Sequence, residues 1–441
     1  MFGAKGDGRT NDTDAFASLA AAVNADGGGT IELRRTTYIV GRQLPGSSSG
    51  STRSFEGQKI LEFVGCRAAL VIRGNGARLR CAGGLRFGVF DAASGQPTNT
   101  QMPYFGPGVA FPYHAMIRVE RSEGPVLIER LELDGNVGEL LIGGRYGDVG
   151  WQVPGTGIAL INNRGDEIVR DVHAHNHPLD GLLIDGDDRS RRFLPTRRVE
   201  RSRFEYNGRQ GCSIVGGRGY AFQECAFSHT GRSAVSSAPG AGVDIEAEGG
   251  KQNRDHSFKA CEFHNNAGAG MVADTGDSDG ASFDLCTFVG TTSWSAWPNK
   301  PRFVFRNCSF AGALTRAYGD LDPRRAAQFT DCVFSDVSPL AAETALYRGT
   351  NADGPLADLS DAKNVAFTRC AFLATRDATL PWSTGAIYAD CRMEQRSSTI
   401  SYPRGTFVGR NSINGKVDLY GSRNLGDLIL NGVQLEPDRT F

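Results

Sequence analysis

The 441-residue chain lacks several features that would assign it to a function class at once. Its 48 Lys and Arg residues balance 49 Asp and Glu residues, which argues against a nucleic-acid partner because such proteins carry a basic surplus. It has no run of about 18 apolar residues, so we expect no transmembrane helix and no membrane partner. It has no Cys pair or Cys/His cluster with zinc spacing. A signal peptide is also lacking, but Met1 directly precedes a structured motif, so we expect further residues upstream.

What the sequence does have is a repeat, Phe-x-x-Cys-x-Phe. Its six copies are Phe222/Cys225/Phe227, Phe258/Cys261/Phe263, Phe283/Cys286/Phe288, Phe305/Cys308/Phe310, Phe329/Cys332/Phe334 and Phe367/Cys370/Phe372. The same spacing with other residue types adds Ile128/Leu131/Leu133, Val169/Val172/Ala174, Val199/Ser202/Phe204 and Tyr388/Cys391/Met393. Residues two apart share one face of a strand, and units this short bury an apolar face only by stacking. The period therefore predicts an all-β fold, a single-stranded right-handed parallel β-helix of about ten or more coils.

Most of the ten cysteines follow this repeat and do not form a disulfide pattern, while Cys66 and Cys81 are too isolated to assign. Seven of them occupy one repeat position, where Ser, Val or Leu stands in other copies. A residue that exchanges with these side chains behaves as a small buried hydrophobe. We therefore expect reduced cysteines stacked in the interior.

The two ends of the chain have distinct patterns. A Gly-rich turn precedes a predicted helix that is capped by Asp12 or Thr13 and stopped by Gly27-Gly28-Gly29, with strands at 30–33 and 37–40. Residues 41–59 are predicted to be a loop and 94–113 an excursion rich in Pro and aromatic residues. We expect one domain over 1–441, with the cap at 1–40, coils at 41–393 and final coils at 394–441.

The opening FGAKGDGRTNDTDAF, followed by GGGTIEL and TYIV, resembles the start of the pectate-lyase-like superfamily of right-handed parallel β-helix proteins. That superfamily includes polygalacturonase relatives, exo-glucanases and phage tailspike depolymerases. The motif covers about the first 40 residues, and its Gly and Asp residues are structural. The resemblance implies a β-helix with an N-terminal capping helix and a polysaccharide or oligosaccharide as ligand. We expect an extracellular or periplasmic location.

A second strand in most coils begins after a Gly and carries acidic residues. The aligned strands are Gly157-Ile-Ala-Leu-Ile161, Gly181-Leu-Leu-Ile-Asp185, Gly211-Cys-Ser-Ile-Val215, Gly242-Val-Asp244-Ile-Glu246 and Gly270-Met-Val-Ala-Asp274. Positions two and four are apolar and point inward, so positions three and five point outward. The alignment predicts that Asp185, Asp244, Glu246 and Asp274 converge on one patch of one sheet.

Paired carboxylates are the groups that glycoside hydrolysis requires. Adjacent strands lie about 4.8 Å apart. The two catalytic carboxyl groups lie about 5 to 5.5 Å apart in glycosidases that retain the anomeric configuration and about 6.5 to 9.5 Å apart in those that invert it. Backbone spacing does not choose between the two. Outward side chains of a solenoid are solvated by default, so plain surface charge is the alternative for each carboxylate.

Aromatic and histidine side chains accompany this predicted patch. Tyr146 and Trp151 lie in the insert 134–156, and Trp294 and Trp297 follow the Asp274 strand; their rings are predicted to stack on sugars or to anchor loops. His177, in the segment HAHNHPLDG, is a candidate substrate contact, whereas at least two of His173, His175 and His177 are expected to be turn or surface residues.

The leading hypothesis is a polysaccharide-active glycoside hydrolase that needs no cofactor. The first rival is a polysaccharide lyase or uronate epimerase that uses His177 and an Arg, with calcium at Asp185-Gly-Asp187-Asp188. That cluster is alternatively catalytic or an ordinary polar turn, and the turn is the preferred interpretation. The segment Arg192-x-x-Pro195-x-Arg197 weakly matches the Arg/Pro signature of calcium-dependent pectate lyases. The polygalacturonase-type Gly-His-Gly and Arg-x-Lys motifs are absent, and the acidic face favours a neutral or mildly charged glycan. The second rival is a non-catalytic glycan-binding module, and we expect a monomer or a homotrimer.

Overall fold

The structure is a computed structural model that describes residues 2–100, 108–145, 152–188, 194–340, 345–349, 354–359 and 362–441. Its contacts group the chain into two compact units. The N-terminal unit comprises Met1–Gly217 and Cys225–Gly240, and the C-terminal unit comprises Arg218–Glu224 and Ala241–Phe441. The single-domain organisation stays a prediction.

The described residues contain the α-helix α1 (Thr13–Asp26), a short 3-10 turn at Val137–Glu139, and strands elsewhere. The strands of the first half are β1 (Gly29–Glu32), β2 (Thr37–Val40), β3 (Gln43–Ser49), β4 (Thr52–Gly57), β5 (Leu61–Val64), β6 (Leu70–Cys81), β7 (Arg86–Asp91), β8 (Val109–Ala110), β9 (Ala115–Glu120), β10 (Val126–Asp134), β11 (Leu141–Gly143), β12 (Thr156–Ile161), β13 (Glu167–His175), β14 (Asp180–Asp185), β15 (Arg197–Glu200), β16 (Arg203–Glu205), β17 (Gln210–Arg218), β18 (Ala221–Gln223) and β19 (Ala226–Ser228). The strands of the second half are β20 (Ala241–Ile245), β21 (Asn253–Lys259), β22 (Glu262–His264), β23 (Met271–Ala273), β24 (Ser278–Asp284), β25 (Thr287–Val289), β26 (Trp297–Pro298), β27 (Phe303–Arg306), β28 (Ser309–Ala311), β29 (Leu314–Thr315), β30 (Gln328–Thr330), β31 (Val333–Ser335), β32 (Ala357–Asp358), β33 (Ala366–Thr368), β34 (Ala371–Ala374), β35 (Trp382–Ala389), β36 (Arg392–Gln395), β37 (Arg404–Val408), β38 (Arg410–Gly415), β39 (Arg423–Asn424), β40 (Asp427–Leu430), β41 (Val433–Leu435) and β42 (Arg439–Thr440).

In the N-terminal unit the coils contribute strands to three parallel sheets. The first sheet contains β1, the first halves of β6, β10 and β13, and β15. The second contains β2, the second halves of those three strands, β16 and β19. The third contains β5, β9, β12, β14 and β17. This is the right-handed parallel β-helix that the repeat predicts.

The C-terminal unit repeats the arrangement. Its first sheet runs from β18 through β21, β24, β27, β30 and β33 to the end of β35, β37 and β39. Its second sheet runs from β22 through β25, β28, β31, β34, β36 and β38 to β40. The strands β20, β23 and β26 belong to its third sheet. At the C-terminus, β41 and β42 pair antiparallel with β40 and β39.

The interior of the C-terminal unit is built from the two Phe positions of the repeat. Rings at the first position stack coil on coil, as Phe258 does on Phe283 with centroids 4.7 Å apart and planes 4° apart. Rings at the second position stack in the same way, with Phe263 and Phe288 4.5 Å apart. Stacked apolar rows of this kind bury each coil against the next, as the repeat predicts.

All ten cysteines are buried and free, which confirms the predicted reduced, interior cysteines. The thiol of Cys308 donates to the carbonyl oxygens of Arg306 and Phe283, at 3.1 and 3.5 Å. Burial raises the pKa of the Cys370 thiol and raises that of Cys81 to about 12. The thiols of Cys370 and Cys81 therefore stay protonated, and all ten cysteines serve as small core residues.

A left-handed residue makes the bend between the first and second sheets. It directly precedes the repeat Cys; examples are Leu285 with φ 55°, Asn307 with φ 52° and Asp331 with φ 54°. Asn and Asp adopt this conformation at low cost, and one such residue turns the chain without a loop.

The N-terminal motif forms the predicted helix and turn, with one change of roles. The carboxylate of Asp12 does not cap α1 but accepts hydrogen bonds from the backbone N–H groups of Lys5 and Gly6, at 2.7 and 3.0 Å. Asn11 accepts from the Thr13 N–H instead, at 3.1 Å. Gly6 has φ 61°, and a Cβ there would lie 2.6 Å from the Thr36 methyl group, so the motif requires glycine.

The predicted loop at 41–59 is wrong. It contains the antiparallel hairpin of β3 and β4. The hairpin is Ser- and Gly-rich and largely exposed, so the apolar alternation that normally indicates strands is missing. The excursion at 94–113 lies partly outside the described residues, and its described end contains β8, which pairs with β7.

Candidate functional site

Three of the four predicted catalytic carboxylates lie on the third sheet of the C-terminal unit. Asp244 lies within β20, Glu246 directly follows β20, and Asp274 directly follows β23. The two strands pair in parallel with Asp244 opposite Val272, as the alignment predicts. Continued by two residues, beyond the last paired residues of the two strands, this register predicts that Glu246 lies opposite Asp274.

The three carboxylates differ in exposure and in their contacts. Asp244 was expected on an open outer face, but it is only 6% exposed. Glu246 and Asp274 are half-buried, so they are the two that a substrate reaches more easily. The side-chain amide of Asn299, which directly follows β26, donates to Asp274 Oδ1 at 2.8 Å.

Both predicted tryptophans of this region are half-buried and contact other side chains. Trp297 lies on β26 opposite Val272, and the guanidinium carbon of Arg316 lies 5.0 Å from the centroid of its ring. Trp294 packs edge-on against Tyr347 with centroids 5.0 Å apart. A role in sugar stacking stays a prediction for both.

Asp185 belongs to the N-terminal unit. It is the last residue of β14, is half-buried, and stands opposite Ile161 on β12. The alignment predicted that Asp185 stands opposite Val215 on the next strand. This prediction is wrong by one residue, because a bulge after Ile184 sets Asp185 opposite Gly216 on β17.

The segment after Asp185 contains a buried ion-pair network. Asp188 is 4% exposed and lies 3.1 Å from the guanidinium of Arg197, which also lies 3.1 Å from Glu167. Arg197 is itself 2% exposed. The possible pectate-lyase signature residue Arg197 is therefore structural, and Arg192 lies outside the described residues.

The prediction that His177 contacts substrate is wrong. Its side chain is fully buried, with Nδ1 2.9 Å from the Tyr113 hydroxyl and Nε2 3.2 Å from the Leu133 carbonyl oxygen. Burial lowers the pKa of His177 to about 3, so the ring stays neutral. The two other predicted substrate contacts, Tyr146 and Trp151, lie outside the described residues.

The outer face of the second sheet in the N-terminal unit carries two rows of charged side chains that the sequence analysis did not assign to a site. The pairing register puts Arg78, Glu132, His173 and Arg203 in one row and Arg80, Asp134, His175 and Glu205 in the next. The inward residues between the rows are Leu79, Leu133, Ala174 and Phe204, all fully buried. Alternation along each strand thus brings eight polar groups onto one face.

Hydrogen bonds connect these rows across the coils. Arg78 contacts both Glu132, at 3.2 Å, and Asp134. Glu205 accepts from Arg203 at 2.9 Å, and its other oxygen lies 3.1 Å from His173 Nε2. The network holds the side chains in fixed positions, as a preorganised site requires.

The network also shifts the titration of its members. Burial alone would raise the pKa of Glu205, but hydrogen bonds from His173, Arg203 and Ser228 outweigh it and lower the pKa to about 2. Burial lowers the pKa of His175, and the neighbouring His173 lowers it further. Near neutral pH this surface therefore combines ionised carboxylates with a neutral imidazole at His175.

Three members of the network also form a potential ligand set for a metal ion. The rings of His173 and His175 stack with centroids 4.3 Å apart, and His175 Nε2 lies 3.1 Å from Glu132 Oε1. One ligand atom from each of Glu132, His173 and His175 lies within 4.8 Å of the other two.

A surface depression of about 580 Å³ adjoins the same rows. Four arginines line it, namely Arg35, Arg130, Arg201 and Arg203, together with Asn75, Glu132, Asp171 and His173. Arg201 donates to the Asp171 carboxylate from Nε at 2.8 Å and from Nη2 at 3.1 Å. The arginines outnumber the carboxylates, so this depression favours anions.

The signal for these rows was present in the repeat itself. Val172 and Ala174 occupy inward repeat positions, so His173 and His175 must point outward on the same strand. At least two of His173, His175 and His177 were expected to be turn or surface residues, whereas His173 and His175 lie on strand β13.

No protein-family model matches the chain. Among curated proteins, the capsule KN3-specific depolymerase 1 of Klebsiella phage KN3-1 is 41% identical over 66 residues. The match covers 15% of this chain and only 8% of the phage protein.

Among solved structures, the A-module of mannuronan C-5 epimerase AlgE4 from Azotobacter vinelandii is similar, with a TM-score of 0.51 and 13% identity over 95% of this chain and 96% of the module. The tailspike gp49 of Acinetobacter baumannii bacteriophage Fri1, a capsular polysaccharide depolymerase, matches with a TM-score of 0.46 and 13% identity over 93% of this chain and 60% of the tailspike. At this identity the AlgE4 likeness shows the fold alone, and it agrees with the predicted parallel β-helix.

Proposed function

We propose that the chain is a polysaccharide-active enzyme that hydrolyses glycosidic bonds with Glu246 and Asp274. The observation that carries the proposal is the parallel pairing of β20 with β23, with Asp244 opposite Val272. This register supports an arrangement in which Glu246 and Asp274, which directly follow the two strands, lie side by side. Adjacent strands lie about 4.8 Å apart, a backbone spacing compatible with the carboxyl separations of retaining and inverting glycosidases.

The contacts of the two carboxylates favour different roles. The Asn299 amide donates to Asp274, which orients that carboxylate as an acceptor and suits a nucleophile or general base. Glu246 is then the general acid that protonates the leaving oxygen. Asp244, which is almost enclosed, supports the site without contacting the glycosidic bond. Trp297, on the next strand, is the candidate platform for a sugar ring.

One curated relative supports the substrate part of the proposal. The Klebsiella phage protein is named as a capsule-specific depolymerase, and the β-helix offers long outer faces that suit an extended chain of sugars. We therefore propose a capsular polysaccharide as substrate, an extracellular site of action and a monomeric or trimeric assembly.

The test is digestion of a panel of purified bacterial capsular polysaccharides, with new reducing ends as the measured product. Glu246→Gln and Asp274→Asn are expected to lower the rate by orders of magnitude while leaving the fold intact, because an amide cannot exchange the required proton. Glu262→Gln is the matched control, since Glu262 is an exposed carboxylate on the second sheet of the same unit. Equal rates for all variants on a true substrate would reject the site.

A second candidate is elimination or epimerisation of a uronate in the N-terminal unit. One observation favours it, the depression where His173 and four arginines meet. Arginines neutralise a uronate carboxylate, and a histidine removes the adjacent proton. The carboxylates that favour a neutral or mildly charged glycan lie on or directly follow strands of the third sheet and do not line this depression. Unsaturated product ends that require Arg203 and His173, but not Glu246, would favour this candidate.

A further inference from the structure

We propose that Glu132, His173 and His175 bind a divalent transition-metal ion of the zinc type. The proposal rests on these residues alone and is independent of the proposed hydrolysis. His173 and His175 are two residues apart on β13, so their rings stand on the same outer face of the sheet. Glu132, on β10, lies directly opposite His173 in the pairing register.

The distances fit a shared ion. Zinc–nitrogen and zinc–oxygen bonds are about 2.0 to 2.2 Å long, so neighbouring ligand atoms of a tetrahedral site lie about 3.3 Å apart. His175 Nε2 and Glu132 Oε1 are already 3.1 Å apart. The ligand atoms of all three residues lie within 4.8 Å of one another, a gap that small side-chain rotations close.

The surroundings supply the outer hydrogen bonds that metal-binding histidines need. Glu205 lies 3.1 Å from His173 Nε2, which leaves His173 Nδ1 as the ligand atom. The side-chain amide of Asn176 lies 2.9 Å from His175 Nδ1, which leaves His175 Nε2 as the ligand atom. A flip of that amide lets its oxygen accept the Nδ1 proton.

The donor set indicates the class of metal. Two imidazoles and one carboxylate suit zinc, nickel or copper, whereas calcium and magnesium prefer oxygen ligands throughout. Three protein ligands leave a coordination position for a water or sugar oxygen. Because Glu132 and His173 also line the arginine-rich depression, that position lies next to it.

The local charge balance permits a dication but limits its affinity. The carboxylates of Glu132, Asp134 and Glu205 face the guanidinium groups of Arg78, Arg80 and Arg203 in the same two rows. Arg78 contacts Glu132 at 3.2 Å, and the ion must compete with it for that carboxylate.

The test uses the whole 441-residue chain, freed of any affinity tag and of metal by a chelator. Zinc is titrated in by calorimetry, and cobalt by its visible spectrum. One equivalent is expected to bind, and Glu132→Gln, His173→Ala and His175→Ala are each expected to weaken binding at least tenfold. His264→Ala is the control, since His264 Nε2 lies 3.9 Å from Glu262 but, among the described residues, His264 belongs to no group of three potential metal ligands.

Circular dichroism establishes that each variant is folded. Where an alanine variant is not folded, the glutamine variant at the same position, such as His173→Gln, replaces it. Saturable binding that all three substitutions weaken, without a thiolate band in the cobalt spectrum, supports the site. Three results overturn it: no saturable binding at millimolar zinc, equal binding by all variants, or a thiolate band that assigns the metal to cysteine.

Discussion

Phe283 and Phe305 lie on successive coils of the C-terminal unit, with ring centroids 4.7 Å apart and planes 10° apart. Both are fully buried, so replacing Phe305 by alanine removes a ring from a closely packed stack. We expect Phe305→Ala to lower the free energy of unfolding by about 3 to 5 kcal/mol. The measurement is the shift of the urea midpoint.

The control for this stack is Leu285→Ala in the adjacent bend. Leu285 is 54% exposed, so its truncation should change the midpoint little. Equal effects of the two substitutions would contradict the inward placement of the Phe column.

The free thiols give a second prediction. Thiol titration in denaturant without reductant should find ten thiols per chain, and in native buffer almost none, because all ten are buried and out of reach of the reagent. Cys308→Asp should destabilise severely, since it puts an unpaired charge into the core, whereas Cys308→Ser should be much milder. Two or fewer thiols in denaturant would mean that disulfides form.

Asp336 gives a pH-dependent prediction. Its carboxylate is 5% exposed and accepts from the backbone N–H groups of Thr375, Arg376, Asp377 and Ala378, at 2.7 to 3.2 Å. Burial opposes ionisation, but these hydrogen bonds outweigh it and lower the pKa of Asp336. The stabilisation is therefore complete above the unfolded pKa of about 3.9 and is lost as the pH falls through the lower, folded value.

We expect Asp336→Asn to cost about 1.5 to 3 kcal/mol at pH 7, the range for hydrogen bonds to a charged group, and less in acid. Urea midpoints of both proteins at neutral and acidic pH measure this. Asp331→Asn is the control, because Asp331 lies on the surface and pairs with the half-exposed Arg369. A constant difference between Asp336→Asn and the parent at every pH would contradict the assignment.

Calcium should be dispensable for glycan cleavage, because the proposed chemistry moves protons between carboxyl groups. A calcium-selective chelator is expected to leave the rate of reducing-end release unchanged. Activity that disappears with the chelator and returns with calcium would favour the eliminating enzyme.

The fold was predictable because its signal recurs in every coil. One apolar pattern, Phe-x-x-Cys-x-Phe, fixes two strands and the bend between them, and each copy confirms the others. The hairpin of β3 and β4 occurs once and carries little apolar alternation, so nothing in the sequence distinguished it from a loop.

The site was only partly predictable. The alignment gave the register of Asp244 against Val272 but missed the bulge that shifts Asp185, because one inserted residue leaves no mark on the apolar pattern. Burial of His177 depends on Tyr113, 64 residues away, and no local pattern reveals such a contact.

The most direct test of the central claim is cleavage of a susceptible capsular polysaccharide in water labelled with the heavy oxygen isotope. Hydrolysis puts one labelled oxygen atom at each new reducing end, and Glu246→Gln should abolish both the label and the cleavage. Products that carry unsaturated ends and no label, formed equally well by Glu246→Gln, would contradict the account.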